Sequence, residues 1–251
     1  MSARAVVRTL SELCITAGLL TVLFVVYVLY WTGVQAQDAG QGEIAHLQDR
    51  WAAGGQAAGG GGGGTDAGTD SGTGAGTDGA GSGASNSPYP QGKSFAVMYI
   101  PRLGGDWAKP VLENTRKPTL AKGLGHYTGT ARLGDKGNFA VAGHRRTHGD
   151  PFKDFPRLRP GDAVVVRDGD TWFTYRINNR PYRTLPSDTG VLDKVPRPVD
   201  PGAAPFGGPG RYLTLTTCDP EWGSSHRLIA WAHLDSTRPV SQGEPEALNG
   251  D

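Results

Sequence analysis

Cysteine is almost missing from this chain of 251 residues: Cys14 and Cys218 are its only two. The first lies in an apolar run near the start and the second deep in the C-terminal half, so a structural disulfide between them is not expected. A surplus of charge of one sign is missing as well. Twenty-five Lys and Arg stand against 24 Asp and Glu, which leaves no electrostatic footprint for a phosphate backbone and argues against nucleic acid as a partner. Acidic residues are scattered rather than clustered with carbonyl-rich loops, so no metal site is evident, and no cofactor is expected. No internal repeat of fixed period appears. What is plentiful is glycine, with 39 residues concentrated in one stretch, which removes much of the chain from any core and favours one folded domain.

Between Glu12 and Asp38 there is no charged residue, and Leu13 to Trp31 reads LCITAGLLTVLFVVYVLYW. A helix of that length covers the roughly 30 Å of a bilayer's hydrocarbon. Arg4 and Arg8 precede it, while Asp38 and Glu43 follow, so the positive-inside bias keeps a short tail (1–12) in the cytoplasm and sends the rest outside. The anchor is placed at 13–34. A cleaved signal peptide is the alternative, since Val34-Gln35-Ala36 loosely resembles a cleavage site, but the apolar stretch exceeds the roughly 7–15 residues of a signal-peptide core.

Residues 35–92 are expected to form a flexible Gly-rich linker. Within it, Ile44, Leu47 and Trp51 fall on one face at helical spacing and allow a brief juxtamembrane helix. From Gly54 to Ser87 the chain is almost entirely Gly, Ala, Thr, Ser and Asp, which cannot bury enough apolar surface to offset chain entropy. Random-coil scaling gives such a tether a reach on the order of 30 Å; a merely tolerated insertion is the bland alternative.

The character changes after Pro90. Over 93–237, short runs rich in Val, Ile, Phe, Tyr and Thr alternate with Gly and Pro clusters, among them FAVMYI (95–100), NFAVA (138–142), AVVVR (163–167), TWFTYRI (171–177), YLTLTT (212–217) and LIAWAHL (228–234). Many short strands with turn-rich connections predict an all-β fold, a closed or nearly closed β-barrel rather than a parallel α/β sheet. The polar tail 238–251 is expected to be disordered.

Cys218 ends the alternating run from Tyr212 and precedes the turn signal Asp219-Pro220, so it sits where a strand leaves the sheet. A lone thiol outside the cytoplasm is a liability unless it is used, although an inert buried cysteine is the competing reading. A thiol is mostly protonated at neutral pH and needs a base or cation nearby to attack efficiently. His144 stands out as that base because it follows Phe139-Ala140-Val141-Ala142-Gly143 at another strand end. His126 is second choice, and His148 is placed on a solvated loop. Arg227, nine residues after the cysteine, opens the run Leu228-Ile229-Ala230. A short loop would bring it beside Cys218, where its fork of donors suits an oxyanion; alone, it would be read as a surface arginine.

Taken together, Thr214-Leu215-Thr216-Thr217-Cys218, Arg227-Leu228-Ile229 and Gly137-Asn138-Phe139-Ala140-Val141-Ala142-Gly143-His144-Arg145 resemble the sortase family. Tyr99-Ile100-Pro101, Gly125-His126-Tyr127 and Leu158-Arg159-Pro160-Gly161-Asp162 add to the likeness, which spans roughly Ser94 to Leu234. The resemblance implies an eight-stranded β-barrel with short helices and a catalytic set of Cys218, His144 and Arg227. It further implies a substrate groove to which Thr217, His126 and Tyr127 contribute. The partners it implies are secreted proteins bearing a sorting signal, cut between Thr and Gly, and a peptidoglycan precursor or other amine as acceptor. The single anchor, the Gly-rich tether and the histidine block look most like class E enzymes of high-GC Gram-positive bacteria, which favour Leu-Ala-x-Thr-Gly over Leu-Pro-x-Thr-Gly. Asp219 departs from the residue expected in many class E members. An L,D-transpeptidase or a papain-like protease would show a Ser-His-Gly-Cys or Cys-Gly-Ser-Cys block, and neither occurs.

Overall fold

A computed structural model of the chain describes residues 3–59 and 89–249. Most of the Gly-rich stretch, and with it the expectation of a flexible tether there, lies outside the described residues.

Among the described residues nine strands follow the N-terminal helix: β1 (Ser94–Tyr99), β2 (Ala108–Glu113), β3 (Leu124–His126), β4 (Gly137–Ala142), β5 (Ala163–Asp168), β6 (Thr171–Ile177), β7 (Tyr182–Thr184), β8 (Arg211–Asp219) and β9 (His226–Pro239). Eight of them close on themselves in the order β6-β5-β1-β2-β3-β4-β8-β9, with β9 pairing back to β6. The eight-stranded barrel is therefore present. β7 stands outside the ring as a short addition along the first residues of β9. Closure leaves the long strands without a free edge. β9 makes it possible by its length: its first half pairs with β8 and its second half with β6.

Side-chain alternation sorts each strand into an inner and an outer face. Phe139, Val141, Leu213, Leu215, Leu228, Ala230 and Ala232 point into the main core with Val164, Val166 and Tyr175. The alternate residues Ile229 and Trp231 point outward and are covered by Val191, Tyr182, Leu192 and Phe206 from the connection around β7. The barrel thus carries a second apolar layer beside one of its seams.

The helix α1 (Ala3–Gly59) contains a window, Leu10–Tyr27, with mean hydropathy 2.0 and none of it buried. That is long and apolar enough to cross a membrane. The helix does not stop at residue 34. Residues 35–59, assigned above to the linker, continue it, because Ile44 and Leu47 bury themselves against Val97 of β1, flanked by Trp51, Tyr99 and Ala108. A barrel surface to cover is what turns the weak apolar spacing into stable helix. The C-terminal tail is likewise ordered further than its polarity suggests. β9 runs to Pro239 opposite Thr171, and helical turns follow at Val240–Gln242 and Glu246–Leu248.

Candidate active site

The site grows out of three neighbouring strand ends. β4 and β8 run parallel with Ala142 beside Thr216, so continuing that register by two residues sets His144 at the level of Cys218. β8 and β9 run antiparallel with Cys218 directly opposite Arg227. Directly opposed residues share a face, and alternation from the inward Val141, Leu215 and Leu228 puts His144, Cys218 and Arg227 all on the outer face of the barrel. The cysteine stands in the middle, with histidine on one side and arginine on the other.

Local chemistry explains why each strand ends there. A Cβ on Gly143 would come within 2.6 Å of the Phe152 ring, so only glycine lets the chain pass before His144. The Gly143 amide donates to Thr216 O (3.1 Å), and the Thr217 hydroxyl donates to Gly143 O (2.9 Å). These bonds tie the approach to His144 to the approach to Cys218. Arg227 donates through Nη1 to the Ser224 and His226 carbonyls at 3.0 and 2.9 Å. Among the described residues no partner holds its Nε or Nη2, which leaves those donors unengaged.

His144 is half-buried, and its ring stacks on that of His148 with centroids 4.7 Å apart. Burial, and then the neighbouring charge of His148, hold its pKa below the usual imidazole value. Both causes favour the neutral imidazole. Cys218 is half-exposed and carries a free thiol.

Asp219 is the part of the site that the sequence marked only as half of a turn signal and as a departure from class E. Its carboxylate accepts from Arg145 Nη1 (2.6 Å) and Arg183 Nε (2.7 Å), bracing the loop after β4, the end of β8 and β7 together. Burial pushes its pKa up, but the two arginines outweigh that and hold it below the ordinary carboxylate value. An acid directly after Cys218 and before a proline was the available signal. Beyond it, Arg146 pairs with Glu221 and lies over the Trp222 ring at 5.1 Å. A cavity of about 350 Å³ opens beside this loop, lined by Trp107, Arg146, His148, Asp150 and Trp222, with Gln37 of α1 in its wall.

The three residues expected in a groove are placed differently. Tyr127 is half-buried and its hydroxyl lies 3.0 Å from Thr216 Oγ1, on the cysteine's face of β8. Thr217 is buried and spends its hydroxyl on Gly143. His126 has no exposed surface; its Nδ1 lies 2.6 Å from the equally buried Glu113 and its Nε2 3.0 Å from Thr130 Oγ1. In this structure His126 has nothing to offer a ligand, because core packing rather than the groove surrounds it.

Residues 98–235 match the family model of the sortase domain. The chain belongs to the sortase family. Sortases E are among its relatives. It is 38% identical to sortase SrtE1 of Streptomyces coelicolor over 248 residues, which cover 96% of this chain and 60% of that protein. It is 33% identical to sortase SrtE2 of the same organism, across 93% of this chain and 84% of that one. The chain thus spans less than two thirds of SrtE1's length and most of SrtE2's. Among solved structures, sortase E of Streptomyces avermitilis superposes with a TM-score of 0.59 at 66% identity, covering 64% of this chain and 99% of that one. Sortase E1 of S. coelicolor, solved with a tripeptide in its active site, superposes at 0.57 and 40% identity, over 63% of this chain and 99% of that one. The sortase barrel and transpeptidase family expected from the motifs are those of this chain.

Proposed function

We propose that this sortase is a membrane-anchored enzyme that cleaves a C-terminal sorting signal between Thr and Gly through a thioester on Cys218, and passes the Thr carbonyl to a cell-wall amine. The observation that carries the reading is the alignment of Cys218 between His144 and Arg227 on one outer face. In the first half-reaction the neutral His144 takes the thiol proton as Sγ attacks the Thr carbonyl carbon. Arg227 donates to the oxyanion that forms. As the tetrahedral intermediate collapses, the Thr–Gly bond breaks and His144 returns the proton to the departing glycine amine. In the second half, His144 takes a proton from the incoming amine as it attacks the thioester, and hands that proton to Cys218 Sγ as the C–S bond breaks. The proton count then closes over the cycle.

The signal is of the Leu-Ala-x-Thr-Gly or Leu-Pro-x-Thr-Gly type, the former being what the resemblance to class E enzymes implies, and the tripeptide in the active site of Sortase E1 of S. coelicolor supports a peptide in the groove. Of the residues expected to line it, Tyr127 is the one whose position favours contact with substrate. Secreted proteins with such a signal, and a peptidoglycan precursor or other amine, are the partners. Arg4 and Arg8 before the apolar helix support a cytoplasmic N-terminus and an extracytoplasmic barrel. The test is to incubate the full chain in detergent with a Leu-Ala-x-Thr-Gly peptide and a glycine oligomer. A product joined through Thr to the added amine is expected. Cleavage at another bond, or no cleavage of either signal type, would overturn the reading.

A further inference from the structure

The extracytoplasmic half of α1 lies along the barrel rather than leading away from it, and its polar contacts match its apolar ones. Glu43 accepts from Lys122 Nζ and Ser94 Oγ, each at 2.8 Å, and Arg50 Nη2 donates to Ser94 O at 2.7 Å. Further along, the Arg167 guanidinium lies over the Trp51 ring at 4.7 Å. A Cβ on Gly40 would meet Lys122 O at 3.1 Å, so helix and barrel backbone are in close approach there.

The direction of this docking is defined. Ala36 and Gln37 lie against Gly149, in the loop that follows His144, whereas Trp51 lies against Gly169, in the turn between β5 and β6. Register puts these at opposite ends of the barrel. β2 starts, and β1 ends, at the end where His144 and Cys218 lie, while β5 runs away from it to Asp168. The helix therefore leaves the apolar run, meets the catalytic end first and reaches the far end about 20 Å later at 1.5 Å per residue. Gln37 stands six residues after Trp31, about 9 Å along the axis, and an interfacial layer is about 5–7 Å deep.

The geometry points to α1 as a rigid mount that holds the end of the barrel bearing His144, Cys218 and Arg227 against the membrane surface, with the opposite end outermost. The inference rests on the reading of Leu10–Tyr27 as a membrane span, and not on the catalytic roles. On this reading the docked helix, which ends at Gly59, sets where the active site stands.

The test uses the full chain in liposomes, with Cys14→Ser and Cys218→Ala so that one introduced cysteine carries a fluorophore. Thr147→Cys reports the catalytic end and Gly207→Cys, in the loop before β8, the far end. Lipids with a nitroxide headgroup should quench the first and spare the second; equal quenching of both would overturn the mount. Leu47→Asp places a charge in the helix–barrel contact and should abolish the difference. Persistence of the difference would show that the helix does not set the orientation. A second measurement avoids that variant: a Cβ at Gly149 lies 3.8 Å from that of Ala36, within disulfide range. Ala36→Cys with Gly149→Cys should keep the halves joined, until reductant is added, after a protease cuts a site placed within 60–88. Failure to join, when Gly149→Cys alone leaves the melting of the barrel unchanged and its left-handed backbone is therefore tolerated, would overturn the docking. Carbonate extraction separates the two layers: release of the chain would overturn the span itself, while retention with equal quenching overturns the mount alone.

Discussion

Arg227 separates the sharp reading of the site from the bland one most widely. If Nε and Nη2 serve the oxyanion, Arg227→Ala lowers kcat/KM by roughly 10²–10³. Arg227→Lys is also strongly impaired, because lysine keeps the charge but loses the planar fork. Alanine activity within about threefold of wild type, well short of the 1.36 kcal/mol of a tenfold change, would remove Arg227 from the set. The pH profile addresses His144. Its pKa is depressed by burial and then by His148, so it stays neutral, and active as a base, until pH falls below the usual value of about 6.5. The acid limb of kcat/KM should lie below that value, and His148→Gln, which removes one of the two causes, should move it upward. An unmoved limb would mean that the histidine stack does not tune the base. Strand-end logic made Cys218, His144 and Arg227 legible, because alternation and turn residues mark where a strand stops. The burial of His126 was not legible: its partner Glu113 is thirteen residues away, and pairing across a sheet leaves no mark on local pattern.

At the scale of elements, the strands with strong alternation were readable nearly to the residue, as with TWFTYRI for β6. β2, β3 and β7 were not. β2 carries Pro110, β3 is only three residues with a central glycine, and β7 is three residues placed by its pairing with β9. Such segments are strands because of their neighbours rather than their composition. β2 and β3 pair in parallel with Glu113 beside His126, and that buried contact clamps the seam while Thr128 donates to the other carboxylate oxygen at 2.7 Å. Glu113→Leu strands the buried His126 imidazole, and should lower the free energy of unfolding by about 1–3 kcal/mol, the Thr128 hydroxyl being exposed and free to turn to water. Chemical denaturation measures it, and a change under about 0.5 kcal/mol would deny the pair its structural role. Asp219 braces three elements in the same way. Asp219→Asn should reduce kcat/KM through Arg145 and Arg183 while leaving the fold intact, and unchanged activity would make the brace incidental.

For the whole molecule, the sequence announces an apolar span, a Gly-rich stretch and a barrel, but not how the first meets the last. Ile44, Leu47 and Trp51 fall at helical spacing, yet only a partner surface decides whether such a stripe folds. External protease on wall-stripped cells should cut the stretch between Gly54 and Ser87; full protection would contradict an outward barrel. The account as a whole depends on one covalent event at Cys218. Intact-mass analysis of the full chain, trapped with a Leu-Ala-x-Thr-Gly peptide, should find the peptide up to its Thr added to the enzyme. Fragmentation should place it on Cys218, and Cys218→Ala should carry no adduct. Peptide turned over by a folded Cys218→Ala variant, or an adduct on any other residue, would contradict it.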